Sequence, residues 1–118
     1  MNSILIADPD SATRKALALL LTRKLGITEY CEAGDVDTLI RQLVDEPPEI
    51  LLLDWRMYGA PAPETCRLLR KAYPGMKIVL LSVDADDEFS AQECGAIFIH
   101  KGASPDEFVA ALESLIED

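Results

Sequence analysis

Four short stretches of the chain are apolar at almost every position, and each runs into a polar residue. They are Ser3–Ala7 before Asp8, Ile50–Leu53 before Asp54, Lys77–Leu81 before Ser82, and Ala96–Ile99 before His100 and Lys101. Runs this short and this uniformly apolar do not suit surface helices. They suit strands buried on both faces, as in a parallel sheet. A fifth stretch, Ile27–Glu32, mixes apolar with polar positions and belongs nearer a sheet edge.

Between these stretches the apolar spacing changes to threes and fours, the period of a helix with one buried face. Leu17, Leu20, Leu21 and Leu25 mark the first helix, with Asp10 or Ser11 as its cap and Gly26 as its stop. Leu19 lies off that stripe and reads as part of a broad buried face or as a partner surface, the first being the favoured reading. Val36, Leu39, Ile40, Leu43 and Val44 mark the second helix, which Pro47 and Pro48 end. After Asp54, residues 57–63 (MYGAPAP) read as a loop, followed by a helix from about Pro63 to Tyr73 that Pro74-Gly75 closes. Residues 83–94 contain Phe89 but no sustained stripe, which predicts only a short helix. The last helix has Ser104 as N-cap, Pro105 in the first turn and Glu107 at the capping-box position, and it buries Phe108, Ala111, Leu112 and Leu115.

Five strands alternating with five helices through short loops require right-handed crossovers and a parallel sheet covered on both faces. A doubly wound order of 2-1-3-4-5 sets the first and third strands side by side at the point where the order reverses. Ligands collect at the carboxyl edge there. Asp8 and Asp54 are then neighbours.

With 118 residues the chain is expected to form one domain over 1–118, with no output domain. Its 11 basic against 21 acidic residues, a net charge of -10, oppose nucleic-acid backbones and anionic membranes, so direct nucleic-acid binding is not expected. Cys31, Cys66 and Cys94 have neither disulfide nor zinc spacing and read as reduced thiols. No apolar run approaches the roughly 18 residues of a membrane span. A cytoplasmic protein is expected.

Asp8, Asp54, Ser82 and Lys101 each end a different strand. Two carboxylates meeting at one sheet edge repel unless a cation lies between them. Mg²⁺, which takes one or two carboxylates and completes its shell with water and phosphate oxygens, would relieve that repulsion. A lysine and a hydroxyl nearby could hold a phosphoryl group. The plainer readings are a strand-end acid bonding loop amides for Asp54, a surface lysine for Lys101 and a loop cap for Ser82. Trp55 should lie at the rim of the pocket, and His100, by strand alternation, should point away from Lys101.

The pieces ILIADPD, LLLDWRMYG, IVLLS and GAIFIHKGASPDEF, in this order and spacing, resemble the receiver domains of two-component response regulators over essentially the whole chain. The resemblance implies a flavodoxin-like fold that accepts a phosphoryl group on Asp54 from a histidine kinase or phosphotransfer protein. It implies Mg²⁺ held by Asp8, Asp54 and the Arg56 backbone carbonyl, phosphate contacts from Lys101, and a switch made of Ser82 and Phe98. It further implies an unknown downstream protein partner and a possible homodimer, with no enzyme activity of its own.

Several positions depart from the family pattern. Pro9 stands where receivers carry a second metal-binding acid, leaving Asp10 to serve either as a substitute ligand or as a helix cap. Tyr58 and Gly102 stand where prolines are common, and the Lys101–Gly102 bond is expected to be trans. The Ser82–Lys101 interval is short. Two other readings follow from the same residues. One is a degenerate receiver that works as a phosphorylation-independent interaction module. The other is a haloacid dehalogenase-like phosphatase using Asp8 and Asp10, against which Asp54 would be left without a purpose.

Overall fold

The structure is a computed structural model and describes residues 3–57 and 62–117. In chain order its elements are β1 (Ile4–Ala7), α1 (Ser11–Leu25), β2 (Tyr30–Ala33), α2 (Val36–Asp45), β3 (Ile50–Asp54), α3 (Ala62–Ala72), β4 (Lys77–Ser82), α4 (Glu88–Glu93), β5 (Ile97–His100) and α5 (Pro105–Glu117), with a 3₁₀ turn at Ala85–Asp87 before α4. The strands form one parallel sheet in the order β2-β1-β3-β4-β5, the flavodoxin-like arrangement expected.

Successive side chains on a strand point to opposite faces, and the buried residues sort accordingly. Ile4, Ile6, Ile50, Leu52, Val79, Leu81 and Ile99 face α1 and α5, whose Leu21, Phe108 and Leu112 complete that half of the core. Leu5, Ala7, Leu51, Leu53, Ile78, Leu80 and Ala96 face the other way, against Leu39, Leu43, Cys66 and Ala91 from α2, α3 and α4. Burial of Cys66 pushes its thiol pKa up to about 12, so it acts as a small core hydrophobe; no cysteine is in a disulfide.

Helix ends follow the sequence signals. The Asp10 carboxylate caps α1 by accepting from the Thr13 amide, and Gly26 stops it at φ 66°. The Ser104 hydroxyl accepts from the Glu107 amide at 3.2 Å and donates to its carboxylate. The 3₁₀ turn and the six-residue α4 are the short helix expected over residues 83–94.

Three expectations change. The second strand begins at Tyr30 rather than Ile27, because the Ile27 amide donates to the Leu21 carbonyl, 3.0 Å away, and is part of the cap of α1. Leu19 is 51% exposed, not part of a broad buried face: it lies two residues, about 200°, round the helix from the fully buried Leu21. Ile40 and Val44 are exposed too, since α2 buries only the narrow stripe of Leu39 and Leu43 over the sheet edge. The third helix starts at Ala62, and residues 58–61 of the expected loop lie outside the described residues, as does Tyr58. No helix among the described residues is long and apolar enough to cross a membrane.

This division predicts unequal costs. Leu80→Ala, at a fully buried position, should lose about 2–5 kcal/mol in urea unfolding. Val44→Ser, 72% exposed, should stay within about 0.5 kcal/mol of the parent.

Candidate functional site

Strand alternation decides which strand-end residues meet. Asp8 continues the side of Ile4 and Ile6, Asp54 that of Ile50 and Leu52, and Lys101 that of Ile99, all toward α1 and α5. Ser82, Phe98 and Trp55 continue the opposite set. The contacts agree with this division.

Asp8 and Asp54 are 1% and 2% exposed and end adjacent strands, as expected. The Lys101 ammonium binds both, reaching Asp8 Oδ2 at 2.8 Å and also Asp54 Oδ1. Each remaining carboxylate oxygen accepts a backbone amide: Asp8 Oδ1 that of Asp10 at 2.9 Å, and Asp54 Oδ2 that of Arg56 at 2.9 Å. Burial disfavours the ammonium, but the hydrogen bonds and charges of Asp54 and Asp8 outweigh it and hold the Lys101 pKa above the ordinary lysine value. Two carboxylates against one ammonium leave an excess negative charge in a nearly closed pocket.

Asp10 does not join the pocket. Its exposed carboxylate is taken up by the Thr13 hydroxyl at 2.6 Å and the Thr13 amide, and the hydroxyl bond holds its pKa low. Asp10 thus takes the N-cap role that its position also suggested. Arg56 is exposed and contributes its amide to Asp54. No cluster of three or more His, Cys, Asp or Glu suited to a metal occurs among the described residues. The donor set is nevertheless compatible with a hard cation that keeps most of its water, because each carboxylate oxygen retains a lone pair beyond the hydrogen bond it accepts.

Ser82 is buried at the end of β4, on the strand parity opposite to that of Asp54. Its hydroxyl donates to Asp87 Oδ2 at 2.6 Å and accepts from the Asp84 amide at 3.1 Å. Phe98, half-buried, meets Trp55 edge to face with ring centroids 6.4 Å apart. His100 points away from Lys101, as alternation required. Its Nδ1 accepts from the Gly102 amide at 3.1 Å, so Nε2 carries the proton and donates to the Val83 carbonyl at 2.8 Å. The Lys101–Gly102 bond is trans, and a Cβ at Gly102 would lie 2.7 Å from the His100 ring.

Two supporting residues escaped the sequence reading. Arg14 on α1 donates to the Asp8 carbonyl at 2.6 Å and to Glu32 at 3.1 Å, and its guanidinium lies against Gly34, where a Cβ would come within 2.8 Å. Its place four residues after the cap Asp10, on the face toward the pocket, was the available signal. Asp87 was hidden in an acidic run read only as a weak helix.

A family model described as the response regulator receiver domain matches residues 4–113. The chain belongs to this receiver family. The receiver is 29% identical over 119 residues to the phosphate regulon transcriptional regulatory protein PhoB of Pseudomonas aeruginosa, covering 97% of this chain and 51% of that protein. It is 25% identical over 118 residues to the response regulator UvrY of Escherichia coli, covering 98% and 54%. The chain thus spans about half the length of these curated relatives. Among solved structures, the signal receiver domain of a DNA-binding response regulator from Colwellia psychrerythraea shares the fold at a TM-score of 0.88 and 18% identity over 100% of both chains. The isolated receiver domain of RcsB from Salmonella enterica, determined with phosphomimetic BeF3-, matches at a TM-score of 0.85 and 17% identity, over 98% and 88%. Response regulators work with histidine kinases or phosphotransfer proteins, and receiver domains typically bind Mg²⁺.

Removing the bridging cation should destabilise the receiver. Lys101→Met strands two buried carboxylates and should cost about 3 kcal/mol at neutral pH. The Lys101 pKa is raised in the folded state, so its contribution is fully present below the unfolded value of 10.5 and is lost as pH rises through the folded value. Urea titrations of parent and variant should therefore show a constant gap near neutrality that closes at strongly alkaline pH.

Proposed function

We propose that the receiver accepts a phosphoryl group on Asp54. The single observation that carries the reading is the Asp8–Lys101–Asp54 cluster: a buried carboxylate at the switch point of the sheet, with an ammonium against it and a second carboxylate beside it. Asp54 would attack the phosphorus of a phosphohistidine on a histidine kinase or phosphotransfer protein. A P–O bond forms as the P–N bond breaks, and the departing imidazole keeps the electron pair. Lys101 would then pass from carboxylate to phosphoryl oxygens, with Ser82 turning in to bind another. Asp8, Asp54 and the Arg56 carbonyl would hold Mg²⁺, which supplies charge neutralisation for the transferring group. The lone charge in excess on the cluster, and the water-rich shell that Mg²⁺ prefers, make two carboxylates a workable set without an acid at Pro9.

On this reading the receiver is a cytoplasmic signalling protein rather than an enzyme. It acts by population shift on an unknown downstream protein, as a monomer or a homodimer, without contacting nucleic acid itself. A second reading, the phosphorylation-independent interaction module, is favoured by one observation: Pro9 removes an acid, and Asp10 is committed to its cap.

Incubation with phosphoramidate and Mg²⁺, followed by intact-mass measurement, separates the two. The phosphoacceptor reading predicts one acid-stable, hydroxylamine-labile phosphoryl group that is lost in Asp54→Asn. Labelling that survives the substitution assigns the acceptor to another residue, and no labelling of the parent favours the interaction module.

A further inference from the structure

The hydroxyl that the proposed reaction needs is already engaged elsewhere. Ser82 is 4% exposed, and its hydroxyl both donates and accepts within the segment that follows β4. The donated bond, to Asp87 Oδ2 at 2.6 Å, is of the short, charge-assisted kind. Asp87 has no other side-chain partner among the hydrogen bonds and ion pairs of the described residues. It stands at the N-cap position of α4 without capping it, so helix capping does not explain its place. Its amide donates to the Asp84 carbonyl at 3.1 Å, and the Asp84 carboxylate accepts from the Asp86 amide at 2.9 Å. The segment thus forms one hydrogen-bonded knot around the Ser82 hydroxyl. From the other side, His100 holds the Val83 carbonyl, fixing the residue next to Ser82.

We infer that Asp87 is a positioning residue that latches the Ser82 hydroxyl away from Asp54 and so sets how readily the unphosphorylated receiver adopts the phosphate-binding arrangement. The inference rests on the phosphoacceptor reading for its consequence, but not for the latch itself. Turning Ser82 inward requires the Asp87 bond to break, and the carboxylate then loses its donor to water while the hydroxyl gains the phosphoryl group. Weakening the latch therefore raises the population of the competent state and, with it, the apparent affinity for a phosphoryl mimic. The segment is coupled to β5 through His100, so release of Ser82 would also free the start of α4, where Phe89 is exposed.

Two measurements on the intact chain test this. The first needs neither metal nor phosphate: Ser82 side-chain rotamer populations, from three-bond proton and nitrogen couplings, in the parent, Asp87→Asn and Asp87→Ala. The parent should hold one rotamer, Asp87→Ala should average over several, and the isosteric Asp87→Asn, still able to accept, should fall between. An unchanged single rotamer in Asp87→Ala overturns the latch, whatever the mimic does. The second is beryllofluoride titration with Mg²⁺, read by Trp55 fluorescence. Asp87→Ala should bind roughly tenfold more tightly than the parent, by the usual size of a hydrogen bond to a charged group. That gain should vanish in a Ser82→Ala background, whereas a merely structural role for Asp87 would persist there. Equal or weaker binding by Asp87→Ala overturns the regulatory inference. Release of the rotamer with no mimic binding by any variant leaves the latch standing and defeats the phosphoacceptor reading instead.

Discussion

The site depends on one lysine spanning three strands. Lys101 follows β5, while Asp54 ends β3 and Asp8 ends β1, with β4 lying between. At the usual strand spacing β1 and β5 are about 14 Å apart, beyond the length of a lysine side chain. The Lys101 amide donates to the Ser82 carbonyl at 2.7 Å, the last rung between β4 and β5, and so fixes the point from which the side chain crosses the carboxyl edge of the sheet. The ammonium can then reach both carboxylates. Without it two buried like charges would share one pocket, so the same contact answers for the fold's tolerance of the acids and, on the proposed reading, would prepare them to meet a phosphoryl group.

The sheet divides the machinery between its faces. Asp8, Asp54 and Lys101 share the parity that points toward α1 and α5, and there they form a charged cluster. Ser82, Phe98 and Trp55 share the other parity and contact the 3₁₀ turn before α4 or each other. Chemistry and readout are thus separated by a single residue step along each strand. Under the proposed function, a change at Asp54 would reach the α4 side at the sheet edge, through Ser82 and the hydrogen bond from His100 to Val83. In the proposed switch, a second hydrogen-bonding state of Ser82, turned toward a phosphoryl group, would supply the bistable element that such a signal needs.

The buried strands were legible in the sequence: uniform apolar runs leading to Asp8, Asp54, Ser82 and Lys101 identified them, because a parallel sheet needs both faces covered, while their order came from the doubly wound arrangement. Strand alternation also foretold that His100 would diverge from Lys101. Other features escaped for physical reasons. Ile27 is apolar and fits a strand, but capping of α1 claims its amide first. Ile40 and Val44 match a helical apolar pattern and Leu19 lies beside one, yet spacing alone does not say how wide a stripe the sheet can cover. Arg14 and Asp87 act through backbone groups or a single hydroxyl across a turn, and neither leaves a periodic trace in the sequence.

The most direct test of the account is the hydrogen-bond geometry of the Lys101 ammonium in solution. Scalar couplings across the hydrogen bonds, from Lys101 Nζ to the carboxylate carbons of Asp8 and Asp54, can be measured on labelled protein and assigned with Lys101→Met. The account predicts resolvable couplings to both carboxylates and slow exchange of the ammonium protons with water. An ammonium in fast exchange with no coupling to either acid, or one coupled to Asp8 alone, would contradict it.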